Sequence, residues 1–528
     1  MTTNTLPAEN GIFRLIRASL VLVWLVSLPI LCVLYLKLEP SPDQAQFDYM
    51  GWMATQGYPF YAGSFDMNWP GGMLLHEAAV RLFGPVPWSW HMLDFVLVQL
   101  STLAGALFLR RAGFRLAPWV MLALYPALYV TASGWMAGQR DIVAMGLLVM
   151  ACTGMLAPRR REAAALVLAG ALVAFAVMVR PTYLSVLAGL VILELLPRSW
   201  IGWPRKLGPA ARVSALLAGF AAVVLAILLW ASAVGNLDDW YQQSYLFTSQ
   251  VYFGAPPMDM TDNFIMILLR WWHWITLCGA IGLGLWLLRD GRLSYPVMLV
   301  LGLAAAVVLS YVAQQKGFGY HLGGLLTLLV LLAAVALDQL FERAVGSPTA
   351  GRRRLLTALT LALAALAALG TASKLAGHRH LLADVATNGI APVAGSYDLP
   401  GPDQARMVEI IRSESAPEDR MALYGTAYHV PYLAGRLPAH RFITPAIELI
   451  TPDFTLHDAW MTEIRDGFRT HRPKFILITG QTVGADGRVT QSDSSPRPVL
   501  TELLAFMGQD YKVRMQGDYG ALFERSAD

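Results

Sequence analysis

The sequence predicts an α-helical polytopic membrane protein with about eleven transmembrane helices, followed by a C-terminal soluble α/β domain. Three observations carry that prediction. The 528 residues are 56% hydrophobic and 14% charged, with a mean hydropathy of +0.48, whereas a soluble chain holds about 25% charged residues. Eleven apolar stretches approach the ~20 residues that a spanning helix needs. The basic residues concentrate in alternate loops, and beyond residue 375 the composition turns mixed and rich in turn residues.

The first apolar run, 15–37, follows Arg14 and Arg17. It is too long for a signal-peptide core and has no small-residue cleavage site behind it, so it reads as a retained span. The others are 90–109, 116–135, 141–157, 163–179, 182–197, 213–235, 268–288, 294–313, 320–341 and 355–373, the fourth and sixth being short. With the loops assigned to alternate sides, one side collects 18 Lys and Arg. The other collects six, namely Lys37, Arg81, Arg140, Arg180, Arg270 and Lys316. Cytoplasmic loops accumulate basic residues, which predicts a cytoplasmic N-terminus and an outer C-terminus. Cys32, Cys152 and Cys278 lie inside apolar runs and offer neither a disulfide framework nor zinc-ligand spacing. The net charge of +4 is small, and what matters is where the Lys and Arg sit rather than their sum; no nucleic-acid partner is expected.

The expected domains are 1–375, a membrane module with a first outer loop at 38–89, and 376–528, an α/β domain outside the membrane. In the latter, Met421–Gly425 and Lys474–Thr479 read as short buried strands. HDAWMTEIRDGFRTH has helical spacing with Trp460, Ile464 and Phe468 on one face. YKVRMQGDYGALFERS reads as two strands around Gly517–Asp518.

The cytoplasmic loops hold mostly Arg and Lys. The outer loops hold acids, amides, aromatics and bases together: Asp43, Gln44, Tyr61 and Asp66 in the first; Arg140 and Asp141 in the second; Arg180 before Pro181 in the third; Lys316, Tyr320 and His321 in the fifth. Each has a structural alternative. Asp43 can be a solvated loop acid, Arg140–Asp141 an ion pair capping the fourth span, and Arg180 an interfacial base. Asp238 and Asp239 read as a solvated helix start, and His76 and Glu77 as structural. The signal is the coincidence on one side, because ionisable groups at the bilayer edge are costly to keep. Arg180, Lys316 and His321, with Arg140, supply positive charge at headgroup depth, where a lipid phosphate is the natural ligand. Asp43 and Asp141 supply carboxylates that can take a proton or hold a divalent metal.

SPDQAQFDYMGWMATQGYPFYAGSFDMNWPGG, residues 41–72, resembles the first outer loop of GT-C glycosyltransferases, among them bacterial protein mannosyltransferase-like proteins and the lipid A aminoarabinose transferases. Asp43 matches the acid of that loop, Gln44 stands where Glu is usual, YPFY matches an aromatic element and WPGG a turn. GQRD, VRPT and QQKGFGYH resemble later loop elements. The resemblance implies a GT-C-like membrane enzyme of the bacterial inner membrane with a periplasmic C-terminal domain. The implied reaction moves a sugar from a polyprenyl-phosphate donor to a lipid, glycan or protein acceptor, with inversion. Asp43 would be the base and Gln44, Tyr61, Asp66, Arg140, Asp141, Arg180, Lys316, Tyr320 and His321 would bind substrate. The segments around Met50–Tyr61 and Met73–Phe83 would form a lid at the interface. Two rival readings share these features: a lipid-linked sugar transporter or flippase, and a ligase or polymerase using a lipid-diphosphate donor.

Overall fold

The structure is a computed structural model and describes residues 11–254, 259–390, 392–393, 401–484, 488–490, 497–517 and 520–526. Each of the eleven apolar stretches is helical. In chain order the first half runs α1 (Gly11–Lys37), α2 (Pro42–Thr55), α3 (Pro70–Phe83), α4 (Ser89–Arg111), α5 (Ala117–Val130), α6 (Arg140–Met155), α7 (Glu162–Val179) and α8 (Leu184–Leu195). Seven helices among the described residues are long and apolar enough to cross a membrane. An eighth span is broken, with Met260–Trp271 and His273–Asp290 meeting at 86°. α5, α6 and α8 are shorter than a full crossing. The chain is a multi-pass membrane protein, with some of its apolar helices bent or short.

The described residues group into two compact units. The first comprises Met1–Tyr35, Asp94–Leu225 and Pro257–Ile390, and the second Leu36–Leu93, Ala226–Pro256 and Ala391–Asp528.

Close helix contact and buried polar anchors hold the first unit. Gly170 and Gly219 face one another's helices so tightly that a Cβ would lie 1.9 Å from the Leu216 carbonyl oxygen and 1.8 Å from that of Val167. Small residues of this kind let membrane helices approach backbone to backbone. The Asp338 carboxylate accepts the backbone N–H groups of Arg115, Leu116 and Ala117 at 2.8, 2.5 and 2.9 Å, which caps α5. Arg212 lies between Glu162 and Glu194, and its Nε donates to Glu194 at 2.5 Å. Arg205 pairs with Glu194 at 3.2 Å. All four side chains are buried, so the charges neutralise one another where water cannot.

The second unit has its own core and a sheet of order β1-β2-β6-β5, comprising β1 (Met421–Tyr424), β2 (Phe475–Thr479), β5 (Tyr511–Gly517) and β6 (Gly520–Arg525). A separate pair, β3 (Thr482–Val483) and β4 (Val489–Thr490), is antiparallel. β1 and β2 run parallel, and β6 returns antiparallel to β2. The expected strands, the helix His457–His471 and the terminal hairpin are all present, although Asp518 of its turn lies outside the described residues. Trp460, Ile464 and Phe468 are buried as their spacing requires. The same core takes in Phe65 and Phe247, with ring centroids of Phe65 and Trp460 5.2 Å apart. Part of the first segment expected at the interface is internal. Met50, Met53, Phe60 and Tyr61 are buried, and the Tyr49 hydroxyl donates to the Arg436 carbonyl at 2.8 Å.

His429 is buried in this unit, and burial pushes its imidazole down from 6.5 to about 4. Between those values the unfolded chain takes up a proton that the folded one refuses, so stability falls on acidification. Hydrogen exchange of the β2 amides should show up to about 3 kcal/mol of protection lost from pH 6.5 toward pH 4. His429→Leu should flatten that slope; an unchanged slope would contradict the assignment. In the first unit, Gly219→Leu should lower the detergent melting temperature strongly, by about 3 kcal/mol or more. A wild-type melting curve would show that the helix contact is looser than described.

Candidate functional site

The sequence-predicted residues fall into two sets, one in each unit. In the first unit α6 begins at Arg140, directly after the buried Gln139. α7 ends at Arg180, because Pro181 cannot continue the helix. The Arg180 Nε lies 2.9 Å from Asp141 Oδ1, and its other end donates to the Gln314 side-chain oxygen. Gln314 is held in turn by the Ser310 carbonyl at 2.9 Å. The partner of Asp141 is therefore Arg180, with Arg140 acting on it more weakly, rather than Arg140 alone in a local cap. His321 is buried within the fields of Arg180 and Arg140. Its Nδ1 has no hydrogen-bond partner among the described residues. Lys316 is also buried, on the turn made by Gln315 and Gly317, whose φ values are 50° and 66°. Burial pushes its ammonium below the ordinary lysine range. Tyr320 stacks between Phe318 at 5.4 Å and Trp135 at 6.2 Å. Arg140, Asp141, Arg180 and His321 are thus brought together.

Sequence reasoning missed the support beneath this cluster. Asp94, inside α4, accepts the Tyr35 hydroxyl at 2.5 Å and the Tyr129 hydroxyl at 2.8 and 2.9 Å. The Tyr129 hydroxyl also accepts the Gly138 N–H at 3.0 Å, which fixes the turn leading to Arg140. The signal was an acid within an apolar span.

In the second unit Ser41 caps α2. Its hydroxyl accepts the Gln44 N–H at 3.4 Å, and the Gln44 side-chain oxygen accepts the Ser41 N–H at 3.2 Å. This is a capping box, and S-x-x-Q is its sequence signature. Gln44 therefore has a structural task where binding was expected. Asp43 sits half-buried in the first turn, where a carboxylate complements the helix dipole. Asp43 and Asp66 both act on the buried Tyr428 hydroxyl and hold its pKa well above the ordinary value, although burial is the larger cause. Asp66 accepts Gln46 Nε2 at 2.5 Å and both the backbone and side-chain nitrogens of Asn68 at 2.6 Å. Tyr61 has φ 68° and donates to the Asn68 carbonyl at 2.8 Å. Its own carbonyl accepts from Gln243 and Arg441 at 2.8 and 3.1 Å. Both residues are buried and internally bonded, so they brace the loop. His76 pairs with Asp48 at 2.7 Å as a buried structural group, and Asp239 pairs with Arg441 rather than water.

Among the described residues no group of three or more His, Cys, Asp or Glu side chains can hold a metal ion. Asp141, one of the two metal-site candidates, faces a guanidinium.

The sequence matches no protein-family model and no curated protein. Solved structures do match. Over 99% of both chains, the protein superposes on ArnT from Cupriavidus metallidurans bound to undecaprenyl phosphate, with a TM-score of 0.55 and 15% identity. The apo form of that ArnT gives 0.57 and 13% identity, over 96% of this chain and 98% of the other. The Archaeoglobus fulgidus oligosaccharyltransferase tethered with an acceptor peptide gives 0.50 and 14%, over 86% of this chain and 69% of the other. The chain has the GT-C fold. Those identities establish architecture along the whole length and leave chemistry to the side chains.

Asp141→Ala should cost about 3–5 kcal/mol, because it leaves Arg180 buried without its counter-ion. The double variant Asp141→Ala, Arg180→Met should cost less than that single one. Melting curves in detergent test this, and a single variant within about 1 kcal/mol of wild type would deny the buried pair.

Proposed function

We propose that the protein is a membrane glycosyltransferase that moves a sugar from a polyprenyl-phosphate donor to an acceptor at the outer face of the bacterial inner membrane. The observation that carries the reading is the gathering of the half-buried Arg140 with the buried Arg180 and His321 near the Asp141 carboxylate, in a chain with the GT-C fold throughout. The ArnT that shares this fold was solved with undecaprenyl phosphate bound. Arg180, Lys316 and His321 bind the donor phosphate. Asp43, in the first turn of α2, takes the proton of the acceptor hydroxyl as that oxygen attacks the anomeric carbon. The bond from that carbon to the phosphate oxygen breaks, and the basic groups stabilise the charge left on the lipid phosphate. A single displacement inverts the anomeric centre. Where the acceptor is itself a phosphate, Asp43 positions it and no base is needed. In this reading residues 376–528 form the domain outside the membrane, and the N-terminus is cytoplasmic.

One observation favours the transporter alternative: the span broken by 86° between Trp271 and His273, since transporters place discontinuous helices at their binding sites. Assay in detergent separates the two, because bond formation needs no second compartment. Wild-type protein should form product from a polyprenyl-phosphate sugar without vesicles, and Asp43→Asn should lose at least about a hundredfold in rate while still inserting and folding. Arg180→Gln and Lys316→Ala should raise the donor KM more than the acceptor KM. Near-normal turnover by Asp43→Asn, or effects confined to acceptor KM, would reject these roles.

A further inference from the structure

A cavity lies at the C-terminal sheet. It occupies about 210 Å³ at the carboxyl ends of the parallel neighbours β1 and β2, where open α/β sheets form ligand crevices. Two glycines shape it. Gly425 leaves β1 with φ 107° and Gly480 leaves β2 with φ 72°. At Gly425 a Cβ would fall 2.1 Å from the Thr479 hydroxyl, so only glycine lets the strand exits part here. Tyr424, Thr426, Thr444, Glu448, Gln481 and Arg497 supply the polar lining, and Phe442 and Ile447 are among the apolar lining.

The polar groups point to a ligand. The Tyr424 hydroxyl belongs to a side chain only 7% exposed and makes no hydrogen bond of ordinary geometry among the described residues, although Glu448 and Arg497 lie near enough to act on it. Glu448 is 8% exposed, and its two oxygens accept the Val499 and Leu500 N–H groups at 3.0 and 2.9 Å. Each carboxylate oxygen keeps a second lone pair. The lining therefore offers hydroxyls, an acceptor-only carboxylate, a donor-only guanidinium and an amide beside an aromatic ring. A carboxylate next to the guanidinium disfavours an anion. The volume is below the about 300–1,000 Å³ of pockets for drug-sized molecules. One pyranose ring fits these terms, with hydroxyls that donate and accept and C–H faces for Phe442.

We propose that this cavity is a saccharide-binding site for a single neutral sugar residue, an assignment independent of whether Asp43 is the base. It gives the C-terminal domain a way to recognise a glycan by its end or by one unit of its chain. The test uses full-length protein in detergent and saturation-transfer NMR with methyl glycosides of glucose, galactose and N-acetylglucosamine at millimolar concentration. At least one should bind. Tyr424→Phe removes the hydroxyl without removing any ordinary internal hydrogen bond, and it should weaken binding roughly tenfold at unchanged melting temperature. Arg497→Gln should also weaken binding, and Asp43→Asn should bind like wild type. Inorganic phosphate should not compete. Absence of transfer from all three glycosides, binding indifferent to both pocket variants, or displacement by phosphate would each overturn the proposal.

Discussion

A polar group placed in an apolar interior has no water to turn to, so the chain itself must supply its partner. That constraint orders the membrane-spanning part of this protein. Most of its buried ionic groups meet the requirement in closed sets. Asp338 is spent on three backbone N–H groups. Asp94 is held by two tyrosines. Glu162 and Glu194 balance Arg205 and Arg212. The cluster at the start of α6 differs. It gathers the Arg140 and Arg180 guanidiniums and the His321 imidazole near the Asp141 carboxylate. The closed sets are complete in themselves, and in the proposed reading the gathered basic groups of the other are where a lipid phosphate docks.

The second unit obeys a related rule by other means. Its loop 38–89 is shaped by backbone capping and by the carboxylate of Asp66, which gathers Gln46 and Asn68. Tyr61 adopts a left-handed backbone that a bulky residue keeps only under strong surrounding constraint. Its hydroxyl and carbonyl contacts, together with stacking on Trp240 at 6.1 Å, provide that constraint. The result is a rigid platform in which Asp43 stands on the first turn of α2, with the Ser41–Gln44 box beneath it. In the proposed reading this fixed mount orients the Asp43 carboxylate toward the acceptor hydroxyl.

The sequence made much of this legible, and what it hid was hidden for physical reasons. Helices, strands and the Trp460 face follow from local periodicity and were readable. The capping role of Gln44 was readable too, in Ser-Pro-Asp-Gln, but was overshadowed by the family acid beside it. The pairing of Arg180 with Asp141 joins residues 39 positions apart, and no local pattern records it. Nor does any local pattern show that Phe65, Phe247 and Trp460 share one core, since that depends on the tertiary meeting of three distant segments. Apolar composition likewise cannot reveal the 86° break after Trp271 or the early ends of α5, α6 and α8.

The decisive measurement is a cryo-electron microscopy map of the protein with undecaprenyl phosphate added. The account predicts phosphate density within hydrogen-bond reach of Arg180 and at least one of Lys316 and His321, with the Asp141 pair intact. Phosphate bound elsewhere on the chain, with this basic cluster empty, would contradict it.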